Sequence, residues 1–250
     1  MKIINFISGG HLGDLIHELF VVKNICERDN VKANLYILDS SYGISHCHDF
    51  RFGLQKTLVD TIDIILSQEY INEYSILPKD FSGDYINLSE WRGIPPKSWG
   101  DILMETYKFK SNDYKWLNTD KVDEVTLGKV VIHRSYHRHN ANFQWDRVLD
   151  TIDGEVVFVT TDISEYERFP YKRDNIIPHL VTNISDLVYA INASKLFIGN
   201  QSSPLAIASG LDKPRLCELW DPDNIYYMGE HNHSDNVSWF VNDNLKYEKK

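Results

Sequence analysis

Short β-branched runs alternate along the chain with stretches whose apolar residues recur every three or four positions. That alternation predicts parallel strands joined by crossover helices. Residues 3–7 (IINFI) read as a strand and SGGHLG as a turn. Residues 14–27 (DLIHELFVVKNICE) read as a helix with Leu15, Leu19, Val22 and Ile25 or Cys26 on one face. NLYIL at 34–38 predicts a second strand and LQKTLVDTIDIILS at 54–67 a second helix, with weaker extended pieces at 74–77 and 85–88. Between 89 and 128 the periodicity loosens into a Gly, Pro and Trp loop (EWRGIPPKSWG) and one helical stretch (WGDILMETYKF). A domain boundary is predicted in that interval.

After Gly128 the alternation restarts. Strands are predicted at 130–133, 156–160, 176–181, 196–199 and 215–219, and helices near 144–152, around SEYERF, at 185–194 and at 203–210. Two successive βα arrays, each with its own first strand, predict an α/β protein of two Rossmann-like halves facing a cleft. The expected division is 1–125 for the first domain, 126–230 for the second, and 231–250 for a charged tail that returns to the first domain in one arrangement of such folds.

Composition narrows the function classes. With 250 residues, 42% hydrophobic and 25% charged, the chain has the make-up of a globular protein. Lys and Arg number 26 against 36 Asp and Glu, a formal net charge of −10, and no long basic run occurs. A nucleic-acid partner is therefore not expected. Cys26, Cys47 and Cys217 are widely separated and form no C-x-x-C pair, which fits a reducing compartment. The opening MKIINFISGG does not read as a signal peptide, and no apolar run approaches the ~20 residues of a membrane span. A cytoplasmic, soluble protein is expected.

Two glycine turns carry the candidate chemistry. SGGHLGD, 8–14, follows a strand and opens a helix, where backbone N–H groups hold a phosphate, a carboxylate or a developing oxyanion. Its glycines do not match the dinucleotide spacing G-x-G-x-x-G. Asp14 has two readings: an acidic first-turn residue favoured by the helix dipole, or a carboxylate at the sheet edge acting as general base on a hydroxyl. His11 and His17 are candidates for the same site, His17 being equally compatible with packing. The second turn, GNQSSPLAIASGLDKP at 199–214, sets Gly199, Asn200, Gln201, Ser202 and Ser203 before a helix with Pro204 in its first turn. Free amides and hydroxyls at the positive end of a helix suit a diphosphate; an ordinary N-cap explains one serine but not the whole run.

The stretch ISDLVYAINASKLFIGNQSSPLAIASGLDKPRLCEL, 184–219, resembles the donor-binding region of family 9 glycosyltransferases, the ADP-heptose heptosyltransferase-like enzymes of the GT-B fold. The pattern there is a helix, a strand ending in G-N-D-S-G-P, a helix containing histidine, and a small-residue K-P turn. SGGHLGDLIHEL, 8–19, resembles the first turn of the same family, and HRSYHRHNANFQW, 133–145, resembles the opening of its second lobe. The resemblance implies a nucleotide-sugar donor in the second lobe, a glycan or other hydroxyl acceptor in the first, and a catalytic base at Asp14 beside Gly13. Where the family has an acidic residue, a glycine and a histidine, this chain has Gln201, Ser203 and Ala206.

Within that frame IHRSYHRHN, 132–140, gains meaning. Its Arg134 and Arg138 are candidates for stabilising a departing diphosphate without a metal ion, the alternative being a solvated charged loop. Glu218 at a strand end is a candidate for the ribose hydroxyls or simply a charged terminus. Trp91, Trp99, Tyr107 and Trp116 are candidates for stacking on acceptor sugars or for core packing. His46, Cys47 and His48 lack the spacing of a zinc site, so neither a metal nor another cofactor is expected. The leading expectation is a metal-independent, inverting glycosyltransferase. The alternatives are a nucleotide-sugar-binding module without catalysis and a sugar-nucleotide epimerase or hydrolase on the same fold.

Overall fold

A computed structural model describes residues 2–94, 99–220, 237–241 and 244–245. The first lobe comprises β1 (Ile3–Ser8), α1 (Leu12–Asp29), β2 (Lys32–Ile37), α2 (Leu54–Leu66), β3 (Ile71–Ile76) and the short β4 (Ile86–Asn87), with α3 (Trp99–Tyr107) after it. Its four strands are parallel in the order β3-β2-β1-β4. The second lobe runs β5 (Val130–His133), α4 (Trp145–Asp150), β6 (Val156–Thr160), α5 (Ile163–Arg168), β7 (Ile176–Leu180), α6 (Ile184–Ala193), β8 (Leu196–Asn200), α7 (Ser203–Gly210) and β9 (Arg215–Glu218). Two further strands, β10 (Val237–Val241) and β11 (Asn244–Leu245), complete a sheet of order β11-β10-β9-β8-β5-β6-β7.

Strand order reverses beside β1 in the first sheet and between β5 and β8 in the second. At such switch points the loops leaving the carboxyl ends of neighbouring strands splay apart and open a crevice. The turn after β1 and the loops after β5 and β8 all leave these points.

The helices form where the apolar period placed them. α1 starts earlier than expected, at Leu12 behind an extended His11, and stops where Asn30 takes a left-handed conformation with φ 52°. β3 is longer than the expected 74–77 piece. Of the tail at 231–250, two short strands are described. β10 pairs in parallel with β9 and β11 antiparallel with β10, so these strands extend the second sheet; the rest of 231–250 lies outside the described residues.

The two lobes share one apolar core. Phe6, Leu19 and Phe20 of the first lobe are continuous with Val131, Leu205 and Ile207 of the second, and α1 packs along α7. The segment after α3 seals this seam. Trp116 is fully buried and its Nε1 donates to Ile16 O at 2.6 Å, while the Trp116 and Leu117 amides both donate to Gly210 O at 3.0 and 2.8 Å. Trp116 and Tyr107 are thus core residues, correcting the expectation of acceptor stacking for these two. A second cluster, with Ile132, Trp145, Phe158 and Phe169, fills the other face of the second sheet.

Candidate active site

A cavity of about 1360 Å³ opens between the lobes at the carboxyl ends of the strands. Its walls come from the α1 turn (His11, Gly13, Asp14), from α2, from the loop after β5 (Ser135, Tyr136, His137, Arg138) and from the α7 turn (Gln201, Ser202, Ser203). The starts of α1 and α7 touch at its base: a Cβ added to Gly13 would stand 3.7 Å from Ser203 Cα. Neither helix is capped by its own N-cap side chain, so the positive ends of two helices converge on one point of the cavity.

Asp14 faces this cavity from the first turn of α1, and Arg92 Nη2 donates to its Oδ2 at 2.5 Å. The glycine pair of the turn makes the contact possible. A Cβ on Gly10 would collide with the Arg92 guanidinium, and one on Gly9 would meet Cys47 Cβ at 2.7 Å. His11 stands exposed at the rim. His17, only 5% exposed, reaches the cavity wall and stacks on Trp99 with ring centroids 4.6 Å apart, the packing that the sequence had left open beside a catalytic role. Trp91 and Trp99 reach the cavity wall although both are buried.

In the second lobe Asn200 acts as a clamp. Fully buried, its Oδ1 accepts from Ser135 N at 3.1 Å and its Nδ2 donates to Ser135 Oγ and His137 O at 3.0 and 2.5 Å, shaping the 135–138 loop. Gly199 permits the same close approach, since a Cβ there would stand 2.8 Å from His133 O. Arg138 adopts φ 56°, a conformation uncommon for a residue with a side chain and enriched at functional sites. Its Nη1 donates to Gln201 O at 3.3 Å, and Gln201 Oε1 accepts from Trp220 N at 2.7 Å. Ser202 donates to Asn200 O and lines the cavity together with Ser203.

Arg134 and Glu218 depart from their expected roles. They bind each other: Arg134 Nε and Nη2 donate to the two Glu218 oxygens at 2.7 and 2.8 Å. Asn140 N and Trp145 Nε1 add bonds of 2.9 and 3.0 Å to the same carboxylate, which is fully buried. Both carboxylate oxygens are engaged from inside the lobe, and neither residue lines the cavity. The pair anchors the β5 loop from behind.

Two groups, Glu18 and Arg92, escaped sequence reasoning. Glu18, fully buried one turn beyond Asp14, accepts from Ser8 Oγ at 2.5 Å and Trp91 Nε1 at 2.8 Å, with Arg92 Nη1 at 3.8 Å. Burial pushes its carboxyl up to about 7, opposed by Arg92 and the two hydrogen bonds. The i, i+4 spacing from Asp14 was the available signal, while the partner Arg92 lies far off in sequence. Among the described residues no group of three His, Cys, Asp or Glu side chains is arranged to hold a metal ion. Cys47 is buried, and burial raises its thiol pKa. No helix among the described residues is long and apolar enough to cross a membrane.

No protein-family model matches the sequence, and no curated protein does. Solved structures do match in shape. The E. coli heptosyltransferase WaaC with ADP aligns with TM-score 0.61 and 10% identity, over 95% of this chain and 92% of that one. A family 9 glycosyl transferase from Veillonella parvula aligns with TM-score 0.54 and 11% identity over 90% and 84%. The iron-containing dodecameric glycosyltransferase TibC of enterotoxigenic E. coli aligns with TM-score 0.55 and 11% identity; 86% of this chain spans 57% of its length. At these identities the likeness is one of fold, and with the two parallel sheets and the crevice between them it identifies the chain as an α/β protein of the GT-B fold.

Proposed function

We propose that the chain is a glycosyltransferase that moves a sugar from a nucleoside-diphosphate sugar to an acceptor hydroxyl. The observation that carries this reading is the convergence, in one cavity, of two helix starts, the Arg138 guanidinium and the Asp14 carboxylate. The diphosphate lies against the α7 turn, where the Ser202 and Ser203 hydroxyls, the backbone at Gln201 and Arg138 supply donors and positive charge. Gly13 leaves space for it to approach α1. Asn200 and Gly199 hold the β5 loop in shape, with Arg134 and Glu218 supporting it from behind. An ADP-linked sugar is the first donor to test, since WaaC was solved with ADP and with ADP-2-deoxy-2-fluoro heptose.

The reaction follows from these positions. Asp14 takes the proton of the acceptor hydroxyl as its oxygen bonds to C1 of the sugar, and the C1–O bond to the diphosphate breaks on the opposite face. The configuration inverts in this single displacement. Arg138 and the α7 start stabilise the negative charge of the leaving diphosphate with preorganised donors, so the reading requires no metal ion. His11 at the rim is placed to contact the acceptor.

The test is release of nucleoside diphosphate from ADP-, UDP- and GDP-sugars with a panel of sugar acceptors, with and without EDTA. Removing a general base costs about 10²–10⁴-fold, so Asp14→Asn is expected to lose transfer by that factor and keep donor binding within threefold. Transfer by Asp14→Asn at the wild-type rate overturns the assignment of the base.

A further inference from the structure

Beneath Asp14 lies a second carboxylate that the transfer reaction does not touch. Glu18 follows Asp14 by one helical turn on α1, yet it is fully buried while Asp14 opens on the cavity. A single guanidinium spans the two. Arg92 Nη2 binds Asp14 Oδ2 at 2.5 Å, and Nη1 stands 3.8 Å from Glu18 Oε1 and donates to His46 O at 3.3 Å. The Arg92 guanidinium also lies over the Trp91 ring, 4.4 Å from its centroid, and that indole donates to Glu18 at 2.8 Å. Ser8, at the end of β1, closes the other Glu18 oxygen. Among the described residues Cys47 and Tyr107 also face Glu18, and the Tyr107 hydroxyl donates to Asn87 O at 3.0 Å.

This arrangement exceeds what packing of α1 requires. A buried carboxylate is costly to ionise, and a methionine or leucine would fill the same volume without that cost. Glycine at position 10 leaves the guanidinium room to reach both acids.

We propose that Glu18 is a positioning residue for Asp14: through Arg92 it fixes where the Asp14 carboxylate points and how much of the guanidinium that carboxylate holds. This rests on the reading of Asp14 as the base. When Glu18 is anionic, the two carboxylates share Arg92. When Glu18 is protonated, the guanidinium is drawn to Asp14 alone and competes with the acceptor hydroxyl for its oxygens. The switch between these states lies close to neutral pH, where burial has moved Glu18. Transfer therefore slows on the acid side of neutrality because of a group that never meets substrate.

The experiment needs no ligand for its first arm. Protein labelled with ¹³C at the Asp and Glu carboxyl carbons is titrated by NMR, alongside Glu18→Gln and Asp14→Asn. Glu18 is expected to titrate near 7 and, in Asp14→Asn, about one pH unit lower, because a neighbouring negative charge is gone and Arg92 is released to it. The Asp14 signal is expected to report the Glu18 step in the wild type and to lose it in Glu18→Gln. A Glu18 midpoint indifferent to Asp14→Asn, together with an Asp14 signal indifferent to Glu18→Gln, overturns the proposal. Arg92→Lys, whose single ammonium cannot serve both acids, is expected to raise the Glu18 midpoint. An unchanged midpoint there contradicts the role of Arg92.

The second arm is the pH profile of kcat. Wild type is expected to show an acid limb following the Glu18 midpoint, and Glu18→Gln to lose that limb with donor KM within twofold. Coupling absent while Asp14→Asn is inactive removes the role of Glu18 alone. Transfer that survives Asp14→Asn removes both the base and its positioning.

Discussion

Replacing Glu218 with glutamine measures how far the second lobe depends on its buried ion pair. Each carboxylate oxygen accepts two bonds: Oε1 from Arg134 Nη2 and Asn140 N, Oε2 from Arg134 Nε and Trp145 Nε1. A glutamine offers one acceptor, so whichever way the amide turns, two donors face its NH₂ group. A hydrogen bond to a charged group contributes about 1.5–3 kcal/mol, and two lost together amount to roughly 3–6 kcal/mol, overlapping the ~3–5 kcal/mol found when one partner of a buried pair is removed. In a chain of this length each kcal/mol moves Tm by about 2–4 °C, so a fall on the order of 10 °C is expected. The assay is thermal unfolding by circular dichroism or calorimetry, with nucleotide titration at low temperature beside it. A Glu218→Gln protein that melts with the wild type yet binds nucleotide tenfold more weakly would refute the reasoning, because the carboxylate would then serve the ligand and not Arg134.

Two further outcomes follow from the same contacts. Gly199→Ala forces a Cβ to within 2.8 Å of His133 O between two central strands, and is expected to cost ~1–3 kcal/mol; an unchanged denaturation midpoint contradicts the close approach. Glu18 carries a pH signature in stability. Its carboxyl is raised on folding from 4.5 to about 7, so the folded chain binds the extra proton between those values. The stability this group contributes is present below its unfolded value and is lost as pH rises through the folded one. Relative to wild type, Glu18→Gln is therefore expected to gain about 3 kcal/mol between acid and mildly alkaline pH, measured by urea unfolding at each pH, and a constant difference contradicts the burial argument.

Much of the fold was legible because parallel strands buried on both faces leave continuous apolar runs, as VVIH and VVFVT do, and amphipathic crossovers leave a helical period. In the 89–128 interval the helical stretch was legible and forms α3, but the segment after it was not, since its order comes from tertiary contact. Trp116 and Leu117 belong to no helix or strand, and what fixes them is Gly210 O and Ile16 O, far off in sequence. The site divides in the same way. Asp14, Gly13, Arg138, Ser202 and Ser203 stand on the cavity because turns at strand ends put them there. Arg134 and Glu218 had the chemistry for a ligand, but sequence does not reveal that they face each other. Glu18 and Arg92 were invisible for the converse reason: burial and a partner over 70 residues away give them their meaning.

The central claim is that the cavity between the lobes holds a nucleoside diphosphate against the α7 turn and Arg138. Calorimetric titration with ADP, UDP, GDP, dTDP and CMP, with EDTA present and repeated on Arg138→Ala, tests it most directly. The account predicts selective binding of one diphosphate, unaffected by EDTA and weakened at least tenfold by the substitution. Absence of binding to every nucleotide, or equal affinity in Arg138→Ala, would contradict it.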